Sequence, residues 1–344
     1  MRLYIMVTQP GPSFIVSPPF HRRITQMRTR AVRADELDLF VEAAGPPDHR
    51  REVEQYLKGM FAAGSMRPQW CFVAEDEGAR PLGRVAFWTL PGMEQPFALV
   101  LLDLDWNGDY ADVGTRLLED VLERARALGA GEIEHVVDDP PMRPQFQHHP
   151  ERRISLLKSL GFALRRETSR FEWRREAPPA SPERLSFRTL EEVGEEAFID
   201  AIKNVSEGTL DREIREERER LGARPAARKF FEDAKRVQHE PSWWRVAHAP
   251  GGELAGLVMP AEPPGFLTLF YIGIAPEMRG RGYVDDLLAA GNTTLLEARS
   301  NNDKPLLVDT DVSNAPMAAD FERAGWTRFA GRREYVLDLV VNRA

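Results

Sequence analysis

The hydrophobic and polar positions change period many times along this chain, and each change predicts an element. From residue 27 the pattern predicts a strand (27–32), a helix (35–44), a second helical stretch (48–63) and two strands (70–75 and 82–89) separated by turn residues. A third strand (97–105) is apolar almost throughout, as expected of one buried on both faces. A helix over 112–128 gathers Val113, Leu117, Val121, Leu122, Ala125 and Leu128 on one face. A strand (133–137), a helix (154–160) ended by Gly161, and a strand (169–175) close this half.

After Ala177-Pro-Pro-Ala-Ser-Pro182, whose composition is that of a linker, the order recurs. A strand (185–190), helices (194–203, 211–220, 226–237) and three strands (243–248, 254–259, 267–274) come first. The next helix places Val284, Leu287, Leu288, Gly291, Leu295 and Ala298 on one stripe. A strand (306–311), a helix (316–324) ended by Gly325, and a strand (333–339) complete the second half. Residues also pair between the halves: Met27-Arg28-Thr29 with Phe187-Arg188-Thr189, Gly83 with Gly256, Leu117-Leu118 with Leu287-Leu288, and Ser159-Leu160-Gly161-Phe162 with Arg323-Ala324-Gly325-Trp326. All these separations lie near ~165 residues, the signature of one fold used twice. The expected class is therefore α/β (α+β): two tandem domains, 27–176 and 183–344, joined by a linker over 177–182. Each is expected to be a mixed, mostly antiparallel sheet covered by helices. Residues 1–26, with Pro10, Pro12, Pro18 and Pro19, read as an irregular extension.

Composition narrows the function classes. Hydrophobic residues at 42% and charged residues at 29% describe an ordinary globular chain. A net charge of -8 argues against nucleic acid as main partner and suits a cationic amine, although acidic surfaces also serve solubility alone. No apolar run approaches a membrane span, and the segment from Leu3 to Val7 is too short for a secretion signal, so a cytoplasmic location is expected. The lone Cys71 cannot form an internal disulfide and lies in an apolar strand, where a core role is expected. His135, His148 and His149 make no metal constellation and read as surface or loop residues.

The candidate chemistry centres on Arg279-Gly280-Arg281-Gly282-Tyr283-Val284, between an apolar strand and an amphipathic helix. Glycines there permit positive φ and close approach of a ligand, and the first amides of the helix lack carbonyl partners. That is a place for an anion such as a diphosphate, with Arg279 and Arg281 adding charge. A Walker loop would need Lys-Ser/Thr after the last glycine, and a dinucleotide fingerprint would need glycine at 285, which is Asp. Both are disfavoured.

The loop resembles the acetyl-coenzyme A loop of the GCN5-related N-acetyltransferases, whose pattern is Gln/Arg-x-x-Gly-x-Gly/Ala, with Val284 departing at the last small position. The strand at 267–274, the strand at 306–311, Asn314 and Phe321-Glu-Arg-Ala-Gly-Trp326 stand in the family order, so the resemblance covers nearly all of 183–340. It implies two central parallel strands that splay apart, with backbone groups of Ile272, Gly273 and Ile274 offered to pantetheine and loop amides from Gly280 to Val284 to the diphosphate. It implies acetyl-coenzyme A as cosubstrate, no metal, and acetyl transfer to a small-molecule amine. The alternatives are a non-catalytic acyl-coenzyme A binding protein and transfer to a protein amine.

Direct transfer needs a neutral amine and a proton for the departing thiolate. Phe321 stands where many members of the family carry a tyrosine acid, which leaves Tyr271, another donor or solvent. Asp309 and Asp311, two apart on a strand, are candidate bases or else hydrogen-bonded strand-end carboxylates. Glu207 and Asp211 could bind a cationic acceptor, or Thr209 or Asp211 could cap a helix. Asn314 reads as a turn or cap residue and, by the resemblance, as a coenzyme contact. In the first half Asp109 and Asp112 replace Arg279 and Gly282. Two carboxylates there would repel a diphosphate, so that half is expected not to bind the coenzyme productively.

Overall fold

The computed structural model describes residues 26–43, 47–178, 180–263, 265–299 and 304–340. The extension expected over 1–26 lies outside them apart from Gln26. In the first half the elements are β1 (Met27–Ala31), α1 (Leu37–Glu42), α2 (Pro47–Ala62), β2 (Cys71–Asp76), β3 (Pro81–Trp88), β4 (Ala98–Leu104), α3 (Tyr110–Ala127), β5 (Glu132–Asp139), α4 (Pro150–Ser159) and β6 (Ala163–Glu172). The second half supplies β7 (Ser186–Thr189), α5 (Leu190–Val193), α6 (Glu195–Val205), α7 (Arg212–Leu221), α8 (Ala223–Ala234), β8 (Arg245–His248) and β9 (Leu254–Ala261). It continues with β10 (Thr268–Ile274), α9 (Val284–Arg299), β11 (Leu307–Asp311), α10 (Ala315–Ala324) and β12 (Thr327–Asp338). The protein is a mixed α/β fold, built from two halves with the same order of strands and late helices.

The strands form one sheet in the order β1-β2-β3-β4-β5-β12-β6-β11 and another in the order β10-β9-β8-β7. The last strand of each half crosses over: β12 lies between β5 and β6, and β6 pairs with β11. The paired sheet therefore runs through the linker boundary. β4 and β5 meet in parallel at a single pair, Ala98 with Glu134, and the residues just ahead of β10 and β11 meet through one parallel bridge, Leu267 with Leu306. Beyond those points the strands diverge, leaving a V-shaped opening in each half.

Core packing follows the crossing. Phe171 and Trp173, at the end of β6, are buried among Phe321, Trp326 and Leu267 of the second half, while Tyr335 and Leu339 of the β12 end are buried in the first. Each such apolar side chain contributes roughly 1.5–3 kcal/mol by burial. The paired glycines are both close-packed, but against different atoms. A Cβ on Gly256 would lie 2.3 Å from the Gly273 carbonyl, backbone that cannot yield, and one on Gly83 would lie 2.4 Å from the end of the Leu104 side chain and 3.0 Å from the Asp103 carbonyl.

Two strands begin earlier than their apolar pattern indicates, β6 at Ala163 rather than 169 and β12 at Thr327 rather than 333. Their first halves are rich in charge, which reads as loop. In the sheet those charges pair across strands: Arg332 with Asp138 at 2.8 Å, Glu167 with Arg333 at 3.0 Å, and Arg165 with Glu134 at 2.8 Å. Cross-strand ion pairs replace apolar alternation on this face. His135 is also not a surface residue. It is fully buried and bonds the Leu99 carbonyl at 2.9 Å, and burial, with Arg153 beside it, pushes its imidazole down to about 4. Cys71 is buried, and burial pushes its thiol up to about 12, where it is inert as a nucleophile. Among the described residues no helix is long and apolar enough to cross a membrane, and no cluster of three His, Cys, Asp or Glu could hold a metal ion.

Candidate active site

The opening of the second half holds a cleft of about 920 Å³. β10, β11, the start of α10, the glycine loop, α7 and α8 all contribute to its lining. Gly280 and Gly282 both have positive φ, 74° and 75°, so any other residue would be strained at either position. The loop runs directly into α9, where the Asp285 amide donates to Gly282 O at 3.1 Å. The amides ahead of the helix have no intrahelical partner, the arrangement that favours an anion at a helix start. Tyr283 and Val284 line the same end.

The loop arginines take different places. Arg279 turns back from the loop and donates to the carbonyls of Val205, Glu207, Gly208 and Ile274, tying the end of α6 to the tip of β10. Its role is to fasten the loop's neighbour. Arg281 is exposed and outside the cleft lining.

β10 pairs with β9 on one side, with Ile272 opposite Val258, Gly273 opposite Leu257 and Ile274 opposite Gly256. Its other edge is presented to the cleft from residue 272 to 274. A bulge between Leu269 and Tyr271 brings Phe270 and Tyr271 to the cleft, where the ring of Phe230 lies 5.7 Å from the first and 4.9 Å from the second. Burial, with Asp211 nearby, pushes the Tyr271 phenol above its ordinary value, against the opposing pull of Arg279 and Arg218. The phenol therefore keeps its proton at neutral pH and faces the cleft as a donor.

The two aspartates of β11 do not share the cleft. Asp309 lines it, with Oδ1 accepting from Arg170 Nε at 3.1 Å. Asp311 is 4% exposed and outside the lining. Its oxygens accept from Ser313 N at 2.8 Å, Ser313 Oγ at 2.7 Å and Arg212 N at 3.4 Å, the arrangement of a strand-end carboxylate that fixes a turn. Asn314 both caps α10, accepting from Met317 N at 3.4 Å, and lines the cleft.

Asp211 likewise has two duties. One oxygen caps α7 by accepting from Ile214 N at 3.1 Å, and the other accepts from Arg166 at 2.7 Å. Glu207 faces away, 3.7 Å from Arg218 on the surface. Arg166 belongs to β6, so the first half supplies part of this cleft's floor. The sequence pattern gave Arg166 and Arg170 no signal: Arg166 lies in the charged stretch that reads as loop, and Arg170 lies in the expected strand of the other half, with its partner Asp309 139 residues away. Phe321 is 2% exposed and packs against Phe171 with ring centres 5.5 Å apart.

The opening of the first half is filled by its own chain. Between β5 and α4 runs a proline-containing segment, 140–149, where the second half has the short turn 312–314. Gln145 Oε1 accepts from Leu101 N of β4 at 3.0 Å. Gln147 accepts from Asp138 N of β5 at 2.9 Å and donates to Val136 O. Arg153 covers Leu102 O and His135 covers Leu99 O. The backbone edge that a ligand strand would use is thus already bonded.

No family model and no curated protein matches the chain. Solved structures do. A GCN5-related N-acetyltransferase from Sphaerobacter thermophilus superposes with a TM-score of 0.55 at 14% identity, over 91% of this chain and 96% of that one. A GCN5-related glucosamine N-acetyltransferase region of a fungal multi-domain beta-N-acetylglucosaminidase gives a TM-score of 0.52 at 13% identity, over 96% of this chain and 40% of that one. The fold is that of the GCN5-related N-acetyltransferases.

Proposed function

We propose that the second half transfers an acetyl group from acetyl-coenzyme A directly to the amine of a small molecule. The observation that carries this reading is one continuous cleft of about 920 Å³ that joins three features. An amide-rich loop end suits the diphosphate, a strand edge at Ile272–Ile274, open apart from the Ile274 carbonyl that Arg279 holds, suits the amide-bearing pantetheine arm, and an acidic end suits a cationic amine. At that end Asp211, Glu213, Glu217 and Asp233 outnumber the cations Arg166 and Lys229, so the local field attracts an ammonium group.

In this reading Asp309 orients the ammonium and receives its proton through solvent, since one of its oxygens is held by Arg170. The amine lone pair then attacks the thioester carbonyl, the C–S bond breaks, Tyr271 gives its proton to the departing thiolate, and the proton shed by the new amide nitrogen returns through solvent to the tyrosinate. Asp311 serves the fold. Phe321 favours a second reading, a protein that binds the acyl-coenzyme A without turnover, because the ring is packed into the core and has no proton to give.

Calorimetric titration of acetyl-coenzyme A, followed by thiol release with a panel of small amines, tests both. Binding with amine-dependent release supports transfer, binding without release supports the second reading, and no binding overturns both.

A further inference from the structure

The glycine loop is held from behind by a residue far away in sequence. Arg184, just ahead of β7, donates through Nη1 to Arg281 O at 3.2 Å and through Nη2 to Gly282 O at 2.7 Å. The same guanidinium holds Asp286 Oδ2 at 3.0 and 2.7 Å, while the Arg184 amide donates to Asp286 Oδ1 at 2.8 Å. Asp286 lies in the first turn of α9 and is fully buried. Tyr283 completes the arrangement, its ring centre 5.3 Å from the guanidinium.

Peptide planarity gives this clamp a consequence. In a trans peptide the carbonyl of one residue and the amide of the next point in opposite directions. Fixing Arg281 O therefore fixes the Gly282 amide, and fixing Gly282 O fixes the Tyr283 amide, both directed away from Arg184. Positive φ at Gly280 and Gly282 leaves this loop several alternative conformations, and the clamp selects one.

Charge adds a second effect. A buried carboxylate in the first turn of α9 would oppose an incoming diphosphate, and Arg184 neutralises it. The other acid of that turn, Asp285, is paired with Arg323 at 2.7 Å.

We infer that Arg184 is a positioning residue that presents the Gly282 and Tyr283 amides to the coenzyme diphosphate and cancels the charge of Asp286. The inference rests on the coenzyme reading of the cleft. It is tested on the full chain with two probes, acetyl-coenzyme A and S-acetylpantetheine, which lacks the diphosphate.

For Arg184→Leu the expected result is an acetyl-coenzyme A affinity weaker by about ten- to a hundred-fold, as for loss of a charge-assisted bidentate contact. S-acetylpantetheine binding, followed by ligand-observed NMR, should be unchanged. Arg184→Lys keeps the charge without the fork and should recover part of the loss, which keeps the test usable if the leucine variant does not fold. Equal losses for both probes, or no loss for acetyl-coenzyme A, would overturn the inference. Wild-type protein that binds neither probe would instead remove the coenzyme reading itself.

Discussion

The two halves carry the same strands, the same close-packed glycine at 83 and 256, and the same V-shaped parting of parallel strands, yet they use the parting in opposite ways. In the second half the edge of β10 faces an open cleft, and the loop beyond it is glycine-rich and clamped. In the first half Gln145, Gln147, Arg153 and His135 occupy the edges of β4 and β5, and α3 starts with Asp109 at its cap and Asp112 in its first turn. On the proposed coenzyme reading, the first half lacks a site chiefly because its own chain supplies the strand-edge hydrogen bonds: charge at a helix start would only weaken anion binding, whereas a filled edge leaves no place for a pantetheine arm.

The largest expected effect separates those two causes. Gly282→Glu places a strained residue and a carboxylate in the second loop and should abolish acetyl-coenzyme A binding, by about a hundred-fold or more. Reversing the first half's charges with Asp109→Arg and Asp112→Gly should leave calorimetric stoichiometry at one per chain, because the edge stays filled. A second binding site in that variant would show that charge alone had silenced the first half.

Next in size is Tyr271→Phe, expected to lower kcat about a hundred-fold while the acetyl-coenzyme A Kd is unchanged. An unaltered kcat would assign the proton to solvent.

A smaller effect probes the strand exchange. Arg170 is 9% exposed at its side chain and joins Asp309 to Asp138 across β11, β6 and the β5 side. Arg170→Leu should cost about 1–3 kcal/mol in urea denaturation, because it takes one of two arginines from the buried Asp138, which keeps Arg332, and the partner from the exposed Asp309. Since β6 and β12 knit the halves together, tryptophans in each half should report one shared transition. Two separate transitions would show that the halves fold as independent units.

The smallest effect is a pH dependence. Burial pushes Glu134 up to about 7, with Glu334 adding to the shift and Arg165 opposing it. The folded state then holds more protons than the unfolded one between the ordinary carboxylate range and about 7. This group's contribution to stability therefore falls as pH rises through that window. Glu134→Gln should flatten the decline in melting temperature between mildly acidic and neutral buffer, and an unchanged slope would place the shift elsewhere.

Much of this was legible from the sequence by itself. Element order, the duplication, the paired glycines and the Arg279–Val284 loop are local facts, set by periodicity, turn chemistry and the conformational demands of glycine. Asp211 as a helix cap and Asn314 before Pro316 were legible for the same reason, because their partners lie three residues on. The tertiary structure decided what depends on distant partners. Asp309 and Asp311 share a strand face by spacing, but Ser313 and Arg212 draw the second away from the cleft. Arg184 meets Asp286 across 102 residues, and Arg170 meets Asp309 across 139. The exchange of β6 and β12 has the clearest physical reason of all. Because the halves are alike, the last strand of either carries a pattern that fits either sheet. The choice falls to long-range ion pairs and to aromatic anchors such as Phe171 and Trp173, whose partners no local pattern names.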